Sequence, residues 1–202
     1  MPLDLAALQI LAATCAPAVA PATLLAIGKV ESGFDPLVIG VNGPMPRRLS
    51  FATPAAAAAA ARRLIADGAN VDLGLGQINV RNLARLGLSV EAAFEPCRNL
   101  GAAAQVLVGD YQRAAPAAGH EQEGLLTALS YYNTGRPDRG FANGYVAKVA
   151  AAAGRIVPAL AAPETPPRHP PAPPPRERPP WAVFGAPTAS AFVITPANGV
   201  SP

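Results

Sequence analysis

The spacing of apolar positions over most of the chain predicts a series of α-helices. Residues 3–14 form an amphipathic stretch. The next stretch, 21–31, begins with Pro21 at a first-turn position and is followed by Ser32 and Gly33, which favour a helix end. The pattern therefore places Glu31 at a helix C-terminus.

The clearest helical signal begins at Thr53, a suitable N-cap that is followed by proline at the first helical position. An alanine run continues from there to Asp67, and Gly68 ends it. Three further helical stretches are expected at residues 96–114, 121–132 and 141–157.

Between the second and third helices, residues 37–51 permit a small β-hairpin, because three β-branched residues precede the turn-forming pair Asn42-Gly43. Elsewhere the composition favours helix, since the 50% of hydrophobic residues are mainly alanine and aromatic residues make up only 5%. The predicted fold class is all-α, with one small hairpin as the permitted β element.

A sharp change in composition near Pro163 predicts a boundary. Residues 163–202 contain 13 of the 24 prolines, with arginines interspersed. Such a segment cannot bury enough apolar surface to offset its ordering entropy, so we expect a disordered or polyproline-like tail. The chain is therefore divided into a folded domain at 1–162 and a tail at 163–202 that serves as a linker or a docking segment.

Charge and cysteine content exclude several classes of protein. The net charge of +3 is spread without a long basic run, which gives no support for nucleic-acid binding. No apolar stretch is long and pure enough to span a membrane, and the first 22 residues make a poor export signal. Cys15 and Cys97 fit no zinc-binding pattern, which leaves a disulfide or two buried thiols open. No metal or cofactor is expected.

The segment from Val30 to Phe34 is the first candidate for chemistry, because it places Glu31 between apolar neighbours at a helix end. The negative end of the helix dipole and partial desolvation both disfavour the ionised carboxyl. Such a group could stay protonated near neutral pH and donate a proton to a departing glycosidic oxygen. A solvent-facing glutamate at a helix end is the alternative.

Two later segments offer groups that suit sugars. In the loop 72–79, glycines allow the backbone to approach a ligand, while Gln77 and Asn79 supply amides that can both donate and accept hydrogen bonds. Tyr132 and Asn133 lie in a Tyr-Asn-Thr-Gly turn, and Tyr145 follows it. Tyrosine rings stack on pyranose faces, and their hydroxyls can hold a carboxyl in place.

In this order the features resemble the catalytic domain of soluble lytic transglycosylases, which has a lysozyme-like fold. The shared pattern consists of Glu31-Ser32, the loop 74–77, the turn 132–135 and Tyr145. The resemblance narrows to the VirB1-like enzymes of type IV secretion and conjugation systems. The segments that carry this narrower resemblance are 15–17, 19–21, 31–36, 39–43, 74–79 and 94–100.

The resemblance implies that the chain cleaves peptidoglycan glycan strands between N-acetylmuramic acid and N-acetylglucosamine, with a 1,6-anhydro product. Glu31 would act as the acid and then as the base. The residues expected to bind substrate are Ser32, Gln77, Asn79, Tyr132, Asn133 and Tyr145. For Ser32, a helix-end cap is the competing role.

The same resemblance implies a periplasmic location and a disulfide between Cys15 and Cys97. It also makes components of a type IV secretion system candidate partners for the proline-rich tail.

Two alternatives remain on the sequence alone: a hydrolytic lysozyme of the same fold, and a non-catalytic wall-binding module of a secretion complex. Hydrolysis usually needs two carboxyls that flank the bond. Asp35 follows the helix stop and precedes proline, which favours a turn role. Asp72 could reach the cleft as a second carboxylate.

Overall fold

The computed structural model describes residues 2–161, so the predicted tail at 163–202 lies outside the described residues. The α-helices are α1 (Leu5–Cys15), α2 (Pro21–Glu31), α3 (Pro54–Ala66), α4 (Pro96–Ala114), α5 (Glu121–Thr134), α6 (Arg139–Ala142) and α7 (Tyr145–Ala161). The strands are β1 (Val38–Val41), β2 (Arg47–Ser50), β3 (Val71–Leu73) and β4 (Ile78–Asn79). The mainly α-helical fold class is confirmed.

Several helices begin where local chemistry predicts. Asp4 caps α1 through its side chain, and Thr53 caps α3 by accepting a hydrogen bond from the Ala56 amide. Prolines occupy the first turns of α2, α3 and α4, where a missing N–H costs nothing. The expected single helix at 141–157 is wrong, because Gly144 has a φ of 78° and separates α6 from α7.

The core is built around α2, which packs against α1 and α7, while α4 packs against α5 and α1. Many core positions are alanine, including Ala12, Ala26 and Ala103, each at most 1% exposed. Small side chains allow the helix axes to approach closely. Because α2 runs along α7, the last residue of α2 lies beside the first residue of α7.

The β element is larger than the predicted hairpin. β1 and β2 pair as expected, but β3 and β4 extend the antiparallel sheet to the order β2-β1-β3-β4. One face of the sheet packs Ile39, Val71 and Leu73 into the core, and all three side chains are fully buried. The other face carries polar residues.

The predicted disulfide between Cys15 and Cys97 is present, with the two Cα atoms 5.4 Å apart. It joins the last residue of α1 to the first turn of α4. In the part of the chain that the structure describes, no helix is long and apolar enough to cross a membrane.

Candidate active site

Glu31 is the last residue of α2, and the chain turns away immediately after it. Gly33 and Phe34 both adopt left-handed φ values, 64° and 72°, which end the helix. Asp35 then stabilises the turn, since its carboxylate accepts hydrogen bonds from the Leu37 amide and the Ser50 hydroxyl. Asp35 thus has the turn role that its sequence position favours.

Tyr145 holds the Glu31 carboxyl. Its hydroxyl donates a hydrogen bond to Oε1 of Glu31 at 2.6 Å. Tyr145 is itself fixed at the start of α7, because the Asn143 side chain accepts a hydrogen bond from its amide. Burial and the nearby Glu31 raise the pKa of Tyr145 far above its usual range, so the phenol remains a donor at every physiological pH.

The surroundings of Glu31 favour its protonated form. Burial is the largest cause and raises the pKa of Glu31 from 4.5 to about 7. The hydrogen bond from Tyr145 and the charge of Arg48 lower this pKa, whereas the charge of Asp72 raises it. A substantial fraction of Glu31 therefore carries a proton at neutral pH, which is the state that a general acid needs.

Glu31 opens onto a cleft of about 330 Å³ whose lining is mostly amides. The cleft is lined by Glu31, Asn42, Asn70, Asp72, Gln77, Ile78, Asn79, Asn82, Val106, Tyr132 and Asn133. Several of these residues come from the polar face of the sheet, where Asp72 on β3 is paired with Gly40 on β1 and with Asn79 on β4. Directly paired residues project to the same face, so the sheet forms one wall of the cleft.

Asp72 is the second carboxylate of the cleft, and amides hold both of its oxygens. The Asn42 side chain donates to Oδ2 and the Asn79 side chain donates to Oδ1, each at 2.6 Å. Burial raises the pKa of Asp72, and the two amide hydrogen bonds oppose that rise. The Asn79 amide nitrogen also donates to the Asn70 side chain, so it makes two hydrogen bonds within the protein.

Gln77 lies in a strained turn between β3 and β4. Its φ is 50°, and its side-chain amide donates to the carbonyls of Gly74 and Val38 at 2.8 and 3.2 Å. Its Oε1 atom lies 2.6 Å from the position that a Cβ of residue 40 would occupy, so any other residue in place of Gly40 would displace the Gln77 amide. Gln77 also lines the cleft.

Two helices hold the same turn. Asn99 on α4 is fully buried; its Oδ1 accepts the Gly76 N–H at 2.7 Å, and its amide nitrogen donates to the carbonyls of Leu73 and Ala93. The Tyr132 hydroxyl on α5 donates to the Gly76 carbonyl at 2.7 Å. The Gly76 backbone is thus fixed by both of its polar groups.

The remaining predicted site residues differ in their placement. Asn133 lines the cleft and accepts a hydrogen bond from the Asn143 side chain at 2.8 Å. Ser32 is 6% exposed, and its hydroxyl donates to the Gly28 carbonyl one turn earlier. This contact is the helix-end role that competes with substrate binding for Ser32.

Sequence reasoning assigned no individual role to Asn42, Asn70 or Asn99. For Asn99 a signal exists, because it is a lone amide on the otherwise apolar face of α4 that carries Leu100 and Ala103. Asn42 and Asn70 lie at strand ends, where no sequence pattern separates a cleft residue from a turn residue. Across residues 2–161, no group of His, Cys, Asp and Glu side chains could hold a metal ion.

Comparison with known proteins agrees with this geometry. The family model described as "Transglycosylase SLT domain" matches residues 9–153, a range that includes Glu31, Gln77, Tyr132 and Tyr145. The protein named virB1 of Agrobacterium fabrum is 40% identical over 189 residues, covering 92% of this chain and 73% of that protein. The chain is a VirB1-like member of the transglycosylase SLT family.

Other VirB1 proteins show similar agreement. The Rhizobium radiobacter protein is 43% identical over 162 residues, which cover 80% of this chain and 67% of that protein. The type IV secretion system protein virB1 of Brucella abortus biovar 1 is 41% identical over 150 residues, which cover 71% of this chain and 63% of that relative. No solved structure matches the chain significantly.

Proposed function

We propose that this VirB1-like chain is a peptidoglycan lytic transglycosylase that opens the cell wall locally for a type IV secretion or conjugation apparatus. The observation that carries the proposal is the buried Glu31 carboxyl, whose pKa is raised to about 7 and which Tyr145 orients at the head of an amide-lined cleft. Amides that donate and accept suit the hydroxyl and acetamido groups of the glycan strand.

In the proposed reaction, Glu31 acts twice. Because Tyr145 donates to Oε1, the acid proton resides on Oε2 and passes to the bridging oxygen as the bond to the muramic acid anomeric carbon breaks. The Glu31 carboxylate then takes the proton of the C6 hydroxyl of the same muramic acid while that oxygen bonds to the anomeric carbon. The enzyme regains its proton, no water is consumed, and the product ends in a 1,6-anhydro ring.

The substrate contacts follow from the cleft. Gln77 offers its Oε1 atom, and Asn133 and Tyr132 supply further polar and aromatic surface in the cleft lining. The amide nitrogens of Asn42 and Asn79 hold Asp72, so these two residues orient the second carboxylate. Hydrolysis is the second candidate function, because Glu31 and Asp72 line the same cleft and glycoside hydrolysis usually uses two carboxyl groups.

The proposed setting is the periplasm, where peptidoglycan lies and where a disulfide such as Cys15–Cys97 persists. Two relatives support the cellular role, since the Brucella protein is named as part of a type IV secretion system and the Agrobacterium protein shares its name. Components of such a system remain candidate partners for the proline-rich tail.

The experiment is muropeptide analysis of peptidoglycan digested with the wild type, Glu31→Gln and Asp72→Asn. The proposal expects anhydro ends from the wild type, none from Glu31→Gln, and anhydro ends at a reduced rate from Asp72→Asn. Glu121→Gln is the matched control, because it neutralises an exposed glutamate in the first turn of α5. Reducing muramic acid ends would establish the hydrolase, and activity in Glu31→Gln would refute the acid assignment.

A further inference from the structure

An arginine, Arg48, lies on the sheet face that carries the polar residues of the cleft. Arg48 on β2 is directly paired with Gly40, which is paired in turn with Asp72. A Cβ at Gly40 would point at the Gln77 and Asp72 side chains, so this face of the sheet is the cleft face. Because directly paired residues share a face, the Arg48 side chain leaves the sheet on the cleft side.

The electrostatic setting of Arg48 supports this placement. Its charge acts on Glu31, where it lowers the pKa of the carboxyl. β2 is the outer strand of the sheet, and the Arg48 side chain is exposed. Among the described residues no carboxylate lies within ion-pair distance of it. The charged residues that line the cleft, Glu31 and Asp72, are both acidic, and Arg48 adds a positive charge for an anionic ligand on the same sheet face as Asp72.

We infer that Arg48 determines substrate specificity by binding a carboxylate of the peptide stem on the muramic acid that is cleaved. This inference rests on the proposed function. The muramic acid that supplies the C6 hydroxyl also carries the stem, so the stem leaves the glycan strand next to Glu31. A guanidinium is suited to bind a carboxylate through two parallel hydrogen bonds.

Arg47 provides a matched control within the same strand. It is also exposed, but it is paired with Val41, and successive residues of a strand point to opposite faces. Arg47→Gln and Arg48→Gln therefore remove the same charge from the same strand, and only Arg48→Gln removes it from the cleft side.

The experiment measures kcat/KM on three forms of the glycan strand. The first bears intact peptide stems, the second has the stem carboxylates converted to amides, and the third has the stems removed by an amidase. We expect Arg48→Gln to lose about five- to tenfold on the first form, mainly in KM. Amidation of the stem carboxylates should lower kcat/KM of the wild type by a similar factor and leave kcat/KM of Arg48→Gln unchanged. Arg47→Gln should behave as the wild type does.

Three results would overturn the inference. Equal losses in Arg47→Gln and Arg48→Gln would show a general attraction between the basic protein and an acidic wall. Equal sensitivity of wild type and Arg48→Gln to amidation would show that Arg48 does not bind the stem. If kcat/KM of Arg48→Gln stays below that of the wild type on stem-free strands, Arg48 binds the lactyl carboxylate that the amidase exposes and not the stem.

A pH profile supplies a readout that general destabilisation would not move. Tyr145, Asp72 and Tyr132 also face Glu31, and they are unchanged in the variant. Because the charge of Arg48 lowers the pKa of Glu31, Arg48→Gln should move the descending limb of kcat/KM to higher pH. An unmoved limb would place the guanidinium away from Glu31. Failure of the proposed function is distinguishable, since the wild type would then either be inactive on all three substrates or release reducing muramic acid ends from them.

Discussion

Replacing Glu31 with glutamine should stabilise the folded chain at neutral and alkaline pH, because burial penalises the ionised carboxyl. Folding raises the pKa of Glu31 from 4.5 to about 7, with desolvation as the largest cause. Above pH 4.5 the unfolded chain loses this proton, whereas the folded chain keeps it until about pH 7. The folded state binds more protons in that interval, so its stability falls as pH rises through it.

The size of the effect follows from the pKa change. A rise from 4.5 to about 7 is about 2.5 units, and at about 1.36 kcal/mol per unit the destabilisation reaches about 3 kcal/mol. Glutamine never ionises and can still accept the hydrogen bond from Tyr145. The stability advantage of Glu31→Gln should therefore grow by about 3 kcal/mol between about pH 4 and about pH 8, or about 6–12 °C in Tm.

Urea unfolding of the wild type, Glu31→Gln and Glu121→Gln at several pH values measures this directly. The free-energy difference between the wild type and the exposed control should change with pH far less than that between the wild type and Glu31→Gln. A free-energy difference between wild type and Glu31→Gln that stays constant from about pH 4 to about pH 8 would refute the argument. It would mean that burial does not hold the Glu31 proton.

Three further changes test other parts of the site. Tyr145→Phe removes a charge-assisted hydrogen bond of about 1.5–3 kcal/mol, so kcat should fall about 10- to 100-fold. Because that bond lowers the pKa of Glu31, the descending limb of the pH profile should move to higher pH. An unchanged profile would contradict this role. Asn99→Ala removes three hydrogen bonds to backbone groups around the buried Asn99 side chain and should lower the unfolding free energy by about 3 kcal/mol in urea titrations. Little change would show that water replaces the amide. The paired replacement of Cys15 and Cys97 by serine should cost about 4 kcal/mol in the chain-entropy model, and a Tm equal to that of the oxidised wild type would contradict it.

Local chemistry was sufficient to predict most helix boundaries. Proline at the first turn and a capping threonine predict where α2, α3 and α4 begin, because these effects act within one helical turn. The break before α7 was not predicted, since an isolated glycine can also continue a helix. β3 and β4 have three and two residues, too few to show a periodic pattern, and they are set by pairing with β1 and by the core beneath.

The sequence was sufficient to predict most residues of the site but not the contacts between them. Helix-end chemistry was enough to suggest a protonated Glu31, yet the strongest cause of its raised pKa is burial, which depends on tertiary packing. The order of motifs brought Tyr145 into the site, although 114 positions separate it from Glu31. The contacts of Asn99 with the loop were not foreseen, because no local pattern shows which backbone groups a buried amide will reach.

Digestion of peptidoglycan in water enriched in heavy oxygen tests the central claim most directly. If Glu31 directs the C6 hydroxyl onto the anomeric carbon, the new muramic acid ends are anhydro rings that contain no solvent oxygen. Mass spectrometry should then find unlabelled ends, lighter by one water than hydrolytic ends, and Glu31→Gln should release none. Labelled, reducing muramic acid ends from the wild type would contradict the claim and identify a hydrolase.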